Sequence, residues 1–437
     1  MNAEHLIGCH DCGCLYQREP LNSCERARCA RCRHELYRWH AGGPLRRADS
    51  LVALSLGALL VFLLAQSFPI VTLEMGGMAS GATVLQAVGV LWNASMPVVA
   101  AIVLFCAVLF PGLELAFLLY IALGLRQGRR VPGFDTVLRV VQGARHWAMT
   151  EVLMIGILIT VIKMAGTARV VPHPGLFAFA VLTVLCALVM RHEPKALWEL
   201  ADRLAPRRRA GEGGGGGDAG QRAAAVAHAP DTLVLCAACG LVNGQPFARA
   251  KGGAAHCRRC GAALHRRIPN SIGWTWAMLA AATLLYIPAM MLPVMYTRTI
   301  GGGAEGDTIM SGVVLFWNTG SPGLAAIIFV ASVVVPVSKL VALAWLNASA
   351  QWRSRAAPLA RTRAYRVVEF VGRWSMLDIF VVALTVALVR FDALATITAG
   401  PGAIAFGCVV IVTMVASHQF DPRLIWDPIE SNGEQHV

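Results

Sequence analysis

The chain has 437 residues, of which 56% are hydrophobic and only 14% charged, and its 38 Lys and Arg against 25 Asp and Glu give a formal charge of +13. A soluble domain carries about 25% charged residues, so the deficit excludes an ordinary water-soluble globule and points to a membrane as solvent. A basic surplus suits either nucleic acid or a membrane surface; here the basic residues fall between apolar segments, which favours membrane topology over nucleic acid.

The N-terminus does not read as a signal peptide, because a Cys-rich segment comes first and the first apolar run begins only at Leu51. Residues 1–49 hold Cys9-x2-Cys12 and, after 16 intervening residues, Cys29-x2-Cys32; residues 231–270 hold Cys236-x2-Cys239 and, after 17, Cys257-x2-Cys260. This spacing reads as a small β zinc ribbon, in which two tight knuckles aim four thiolates at one structural zinc ion with no open position. Iron in a rubredoxin-like site is the alternative, and disulfides do not suit a reducing cytosol. Glycine follows the knuckle at Gly13, Gly240 and Gly261, where a positive φ is expected, while Arg33 takes that place in the fourth. Cys14 and Cys24 are spare beside the first ribbon, and Cys106, Cys186 and Cys408 fall in apolar spans as core filler. The basic residues of the second ribbon, Arg258, Arg259, Arg266 and Arg267, read as a membrane-flanking cluster rather than a nucleic-acid surface.

Eight segments approach the roughly 20 apolar residues that span a bilayer: 51–71, 96–125, 147–166 and 175–190 in a first unit (residues 50–200), and 272–295, 323–346, 374–395 and 402–417 in a second (residues 271–427). The fold class is therefore an all-α polytopic membrane protein of two tandem four-helix units, each preceded by a ribbon. A flexible linker (201–230) containing the run Gly211–Gly220 separates the halves, and 428–437 is a C-terminal tail. Pro111 predicts a kink in the second span. Between the first and second spans of each unit, 83–95 and 308–320 are apolar, too short to cross, and end in Trp-Asn, which predicts re-entrant or interfacial helices. Arg126, Arg129, Arg130, Arg139, Arg145 and the run from Arg353 to Arg373 lie on one side, against Arg169 and Arg298 on the other, which predicts both termini and both ribbons in the cytosol.

The halves are a duplication. Trp92-Asn93 matches Trp317-Asn318, Trp147 to Glu151 matches Trp374 to Asp378, and Glu193-Pro194-Lys195 matches Asp421-Pro422-Arg423, at offsets running only from 225 (92 to 317) to 228 (193 to 421). An even number of spans per copy makes this a parallel repeat.

Ionisable residues inside spans are costly and mark cavities or pathways. Asp378 and Lys339 lie at roughly 6 and 10 Å from the cytosolic ends of their helices at about 1.5 Å per residue, close enough in depth to pair. Ser332 shares the face of Lys339, and Thr413 offers a hydroxyl. In the first unit Glu114 replaces the lysine and Glu151 stands for Asp378; two carboxylates at one depth repel, with His146 placed to relieve them. Lys163 and Arg390 lie 12 residues beyond their acids (151 to 163, 378 to 390), near the opposite surface; Arg390 reads as snorkelling to the headgroups, while Lys163 counts with the polar cluster, with snorkelling as its alternative.

These residues together resemble the paraquat-inducible protein A family of Gram-negative inner-membrane proteins: two four-cysteine ribbons, two four-helix units and the segment Arg373-Trp374-Ser375-Met376-Leu377-Asp378. The resemblance covers nearly the whole chain. It implies a non-enzymatic role in envelope phospholipid transport, loading or receiving lipid for a periplasmic tunnel of mammalian-cell-entry (MCE) domains, and it carries the polar cluster to Ser332, Lys339, Asp378 and Thr413. No G-x-x-x-x-G-K-[ST] is present, so energy comes from an ion gradient or a separate ATPase, and a Lys339–Asp378 pair is a candidate proton relay. The alternatives are a membrane oxidoreductase, which needs paired histidines that His146, His173, His192 and His418 at span ends do not supply, and a non-transporting scaffold or sensor of envelope stress.

Overall fold

In the computed structural model the described residues are 6–19, 21–22, 25–38, 43–75, 78–94, 96–164, 169–192, 194–206, 233–244, 255–299, 305–320, 322–388, 390–391 and 395–430. Cys24, the glycine-rich run, the end of the tail and the side chains of Lys163 and Arg390 lie outside them.

Each ribbon is made of knuckles on short hairpins. Strands β1 (Leu6–Gly8) and β2 (Leu15–Gln17) flank the first knuckle, and β3 (Arg26–Arg28) and β4 (Glu35–Arg38) flank the second. In the second ribbon, β8 (Leu233–Leu235) and β9 (Val242–Gly244) form the first hairpin and a single bridge between His256 and Ala263 the second. Gly13, Gly240 and Gly261 have φ of 80°, 71° and 68° as their position requires, and Arg33 adopts the same left-handed geometry at 62°. The knuckle dictates the backbone there whether or not the residue is glycine, at a cost of about 1 kcal/mol for the arginine.

The first unit contains α1 (Pro44–Ser67), hairpin β5–β6 (Val71–Met75, Met78–Ala82), α2 (Val84–Asn93), α3 (Pro97–Val103), α4 (Phe110–Arg126), α5 (Phe134–Trp147), α6 (Thr150–Met164), β7 (Arg169–Pro172), α7 (Pro174–Met190) and α8 (Pro194–Leu204). The second repeats it: α9 (Ser271–Met291), β10 (Met295–Thr299), β11 (Glu305–Asp307), α10 (Ile309–Asn318), α11 (Pro322–Phe329), α12 (Val335–Gln351), α13 (Pro358–Trp374), α14 (Leu377–Leu388), β12 (Arg390–Phe391), β13 (Ala395–Ala399) and α15 (Pro401–Gln419). Among the described residues, seven helical stretches, or eight if the bent pair α7–α8 is one span, are long and apolar enough to cross a membrane. Their outward faces are apolar, with Leu60 and Leu284 more than half exposed, as lipid contact requires.

The short helices α2 and α10 sit where interfacial helices were expected. Thr83 and Gln86 close a capping box on α2, and Thr308 caps α10 through the Ser311 N–H. The expected kink at Pro111 takes another form. A π turn (Leu104–Leu109) precedes the proline, and another (Val330–Val334) precedes Pro336. The wider turn removes the clash between the proline ring and the carbonyl one turn back, so both helices continue.

Several boundaries differ from the sequence reading. The seventh span ends at Leu388 instead of reaching Ala395, because the chain turns there into β12 and β13. The far-side loops are sheets: β6-β5-β7 in the first unit and β11-β10-β13-β12 in the second, all antiparallel. The Arg-rich connections 134–147 and 358–374 are amphipathic helices rather than loops. Residues 201–204, read as linker, continue α8, with Ala201 buried. The tail begins as a short helix, Asp427–Glu430.

The two units pack on each other. Helix α14 is buried nearly all round and lies against α2, α3 and α6 of the first unit. Gly156 on α6 makes the approach possible, since a Cβ there would stand 3.2 Å from Phe380 Cβ. The ribbons dock crosswise. The first ribbon's cysteines share a core with Leu346, Tyr365, Phe420, Ile425 and Trp426 of the second unit. Arg366 on α13 donates to Asp11 Oδ2 at 2.8 Å and to the Cys32 carbonyl at 3.0 Å. The second ribbon sits on the first unit: Arg259 pairs with Asp202 at 2.9 Å, and Gln142 donates to the Ala238 carbonyl at 2.8 Å.

Candidate functional site

In both ribbons the four cysteine sulfurs are buried and lie within 4.8 Å of one another. Cross-knuckle pairs stand at 3.3 Å (Cys9–Cys32) and 3.5 Å (Cys12–Cys29, Cys236–Cys260, Cys239–Cys257). A tetrahedral ion with metal–sulfur bonds of about 2.3 Å needs sulfurs about 3.8 Å apart, so the sets fit a metal with small adjustment. Donors point at the sulfurs, as thiolate charge requires: Arg366 reaches Cys32 Sγ at 3.6 Å and Asn243 Nδ2 reaches Cys257 Sγ at 3.6 Å. Two buried four-cysteine metal-binding sites are therefore present. Beside the first, burial pushes the Asp11 carboxyl up, but hydrogen bonds from His10, His34 and Arg366 outweigh it and hold the group well below the ordinary carboxylate range. Cys14 stands outside the set of four mutually close sulfurs and accepts from Arg31 at 3.4 Å.

The membrane site is built around α14. The turn Ser375–Met376 between α13 and α14 places Asp378 in the first turn of α14, aimed at α11 and α12. There it faces Ser332, which the second π turn carries, and one of its carboxylate oxygens has no hydrogen-bond partner. Both residues close the inner end of a cavity of about 340 Å³. The walls are apolar (Leu315, Phe316, Val381, Val382 and Phe406 among them), and Thr297, Asp307 and Thr308 mark its far-side end, opposite the ribbons. Volume and lining fall in the range of about 300–1,000 Å³ typical of small-molecule pockets.

The expected Lys339–Asp378 ion pair is absent among the described residues. Lys339, 2% exposed, instead donates from Nζ to Thr413 Oγ1 at 3.1 Å. It leans on α13, where a Cβ at Gly372 would stand 3.1 Å from Nζ. Equal depth was a fair inference from spacing, but the lysine lies on the ribbon side of the carboxylate, against α13 and α15. Gly372 also lines a second, ribbon-side cavity of about 170 Å³.

The first unit is closed at the matching place. Glu114, Thr150, Glu151 and Cys186 line a cleft of about 10 Å³, room for about one water. Glu114 is balanced by Arg145 (Nε to Oε1, 3.6 Å) and not by His146, which turns away toward His418. Arg145 is not legible in this role from sequence, where it reads as one of several topology-setting arginines.

A model of the family described as paraquat-inducible protein A matches residues 48–202 and 272–430, the two membrane units. The chain belongs to the paraquat-inducible protein A family. It is 32% identical over 430 residues to the intermembrane transport protein PqiA of Escherichia coli K12, covering 97% of this chain and 96% of that one. It is 29% identical over 424 residues to the lipophilic envelope-spanning tunnel protein A of the same strain (97% and 91%). It is 29% identical over 432 residues to a probable intermembrane transport protein of Haemophilus influenzae (96% and 95%). No solved structure matches. Two of these relatives are named as intermembrane transport proteins, and the apolar helices of this chain make it a membrane protein.

Proposed function

We propose that the protein is the inner-membrane component of an envelope phospholipid transport system, not an enzyme, that exchanges lipid with an MCE-domain tunnel on the periplasmic side. The observation that carries this reading is the apolar cavity that runs from Asp378 and Ser332 at its inner end to Thr297, Asp307 and Thr308 on the far side. An acyl chain suits its walls, and the polar groups at its inner end suit a headgroup or a proton. Ribbons, amphipathic helices and most arginines share the other face, which supports a cytosolic position for them and for both termini. The cysteine sets hold zinc as structural ions, the borderline-soft metal such closed thiolate sites select.

In this reading Asp378 takes and releases a proton through the cavity as lipid enters or leaves. Lys339, with Thr413 as its partner, supplies the positive charge behind it. Glu114 and Glu151 of the closed unit serve structure rather than transport. A photo-cross-linking residue at Leu315 tests the lipid part: it should capture phospholipid in membranes, and the same residue at Leu60 on the outer surface of α1 should give only bilayer background. Equal yields at the two positions would contradict it.

A further inference from the structure

Three side chains that take no part in the proposed lipid path meet on the ribbon side of the joint between the two units. They are His146 at the end of α5, Glu369 on α13 and His418 at the end of α15, and one ligand atom from each lies within 4.8 Å of the others. We propose that His146, Glu369 and His418 form a third metal site, for a borderline divalent transition ion such as Zn²⁺ or Co²⁺, that ties the first membrane unit to the second.

The chemistry of the donor set supports this. His146 Nδ1 lies 2.8 Å from the Gln142 carbonyl. A carbonyl only accepts, so Nδ1 carries the proton and Nε2 keeps its lone pair, the arrangement found where a backbone carbonyl orients a metal-bound imidazole. The His418 ring stands perpendicular to it, with centroids 4.7 Å apart, so two ring nitrogens converge without stacking. Two imidazoles and one carboxylate are a set that leaves a fourth position open in zinc sites. The ligands border a cavity of about 170 Å³, lined also by Arg145, Gly372, Arg373, Met414 and Ser417, which has room for an ion and its water.

The neighbouring charges set the character of the site. Arg145 and Arg373 border the cavity, and Lys339 lies behind Gly372. Arg145 is engaged with Glu114 and with the His192 carbonyl at 2.9 Å, but its charge and the others still oppose a cation. The ion is therefore held less tightly than those of the ribbons and exchanges with its surroundings. Because His146 belongs to one unit and Glu369 and His418 to the other, occupancy resists any movement that opens this joint, so the site fits a regulatory clamp.

The test uses full-length protein in detergent or nanodiscs with both ribbons filled by zinc. Titration with Co²⁺ should load one further equivalent with a visible spectrum of nitrogen and oxygen ligation and no thiolate charge-transfer band. His146→Ala, His418→Gln and Glu369→Gln should each weaken this binding by at least about tenfold and leave ribbon zinc in place. Absence of Co²⁺ uptake by the wild type, or uptake unchanged in the His146→Ala/His418→Gln double variant, overturns the proposal. If the variants do not fold, the wild-type spectrum decides alone, since a spectrum with thiolate bands would assign the ion to a ribbon.

Discussion

Asp11 of the first ribbon is bound by Arg366 of the second membrane unit, Oδ2 standing 2.6 Å from Nη2, across 355 residues of chain. The second ribbon makes the reciprocal contact on the first unit, through Arg259 and Asp202. Duplication thus produced a crossed assembly in which each ribbon braces the other copy. Neither half is complete alone: the cysteines of each ribbon share a hydrophobic core with residues of the opposite membrane unit.

Replacing Arg366 by Met keeps the stem that packs on the ribbon but leaves the largely buried Asp11 without its guanidinium partner. Charged hydrogen bonds of this kind contribute about 1.5–3 kcal/mol; with Arg366 about one-third exposed (32%), the lower end of that range is expected. The readout is local. Hydrogen exchange should rise in residues 6–38 and on the facing surface of α13, while the second ribbon stays protected.

Loss of metal should act crosswise as well. Cys9→Ser should loosen segments 346–365 and 420–426 of the second unit, which share a core with the first ribbon. Cys236→Ser should loosen α8, where Trp198 is fully buried and Asp202 holds Arg259. Hydrogen exchange after mutation, or after a strong chelator, reads this directly; loosening confined to each ribbon's own half would contradict the crossed docking.

Gly402 lies in the first turn of α15 beneath the turn at Pro293, and a Cβ there would lie 2.5 Å from the Leu292 carbonyl oxygen. Its counterpart Gly175 meets the Phe68 and Pro69 carbonyls in the same way. Because the obstacle is backbone, Gly402→Ala must shift the helix, at a cost of about 1–3 kcal/mol. A lowered melting temperature in detergent checks it, and the loss should not depend on metal.

What the sequence made legible was local or repeated. Cysteine knuckles are set by four-residue spacings, and spans by runs of apolar residues, so both were readable, as was the duplication. The far-side sheets were not, because β12 has two residues and β11 three, and the strand that joins the hairpins, β10, pairs with β13 about 100 residues further along the chain. Arg33 shows the limit of a residue rule: the knuckle imposed a positive φ that glycine would only have eased. Depth along a helix placed Asp378 and Lys339 near one another but carried no information on rotation. Rotation sends one toward the far-side cavity and the other toward Thr413. The meeting of His146 with His418 depends on the packing of one unit on the other, which no spacing within either unit encodes.

The proposed route takes lipid into the second unit through the cavity that ends on Asp378, with the charge of Lys339 behind it. The direct measurement is transfer of labelled phospholipid in vesicles that hold this protein and an MCE-domain partner, with and without a proton gradient. Asp378→Asn and Lys339→Ala should each cut the rate by about tenfold or more, and Glu114→Gln in the closed first unit should leave it within about twofold. Wild-type transfer rates in both the Asp378→Asn and the Lys339→Ala proteins would contradict the account.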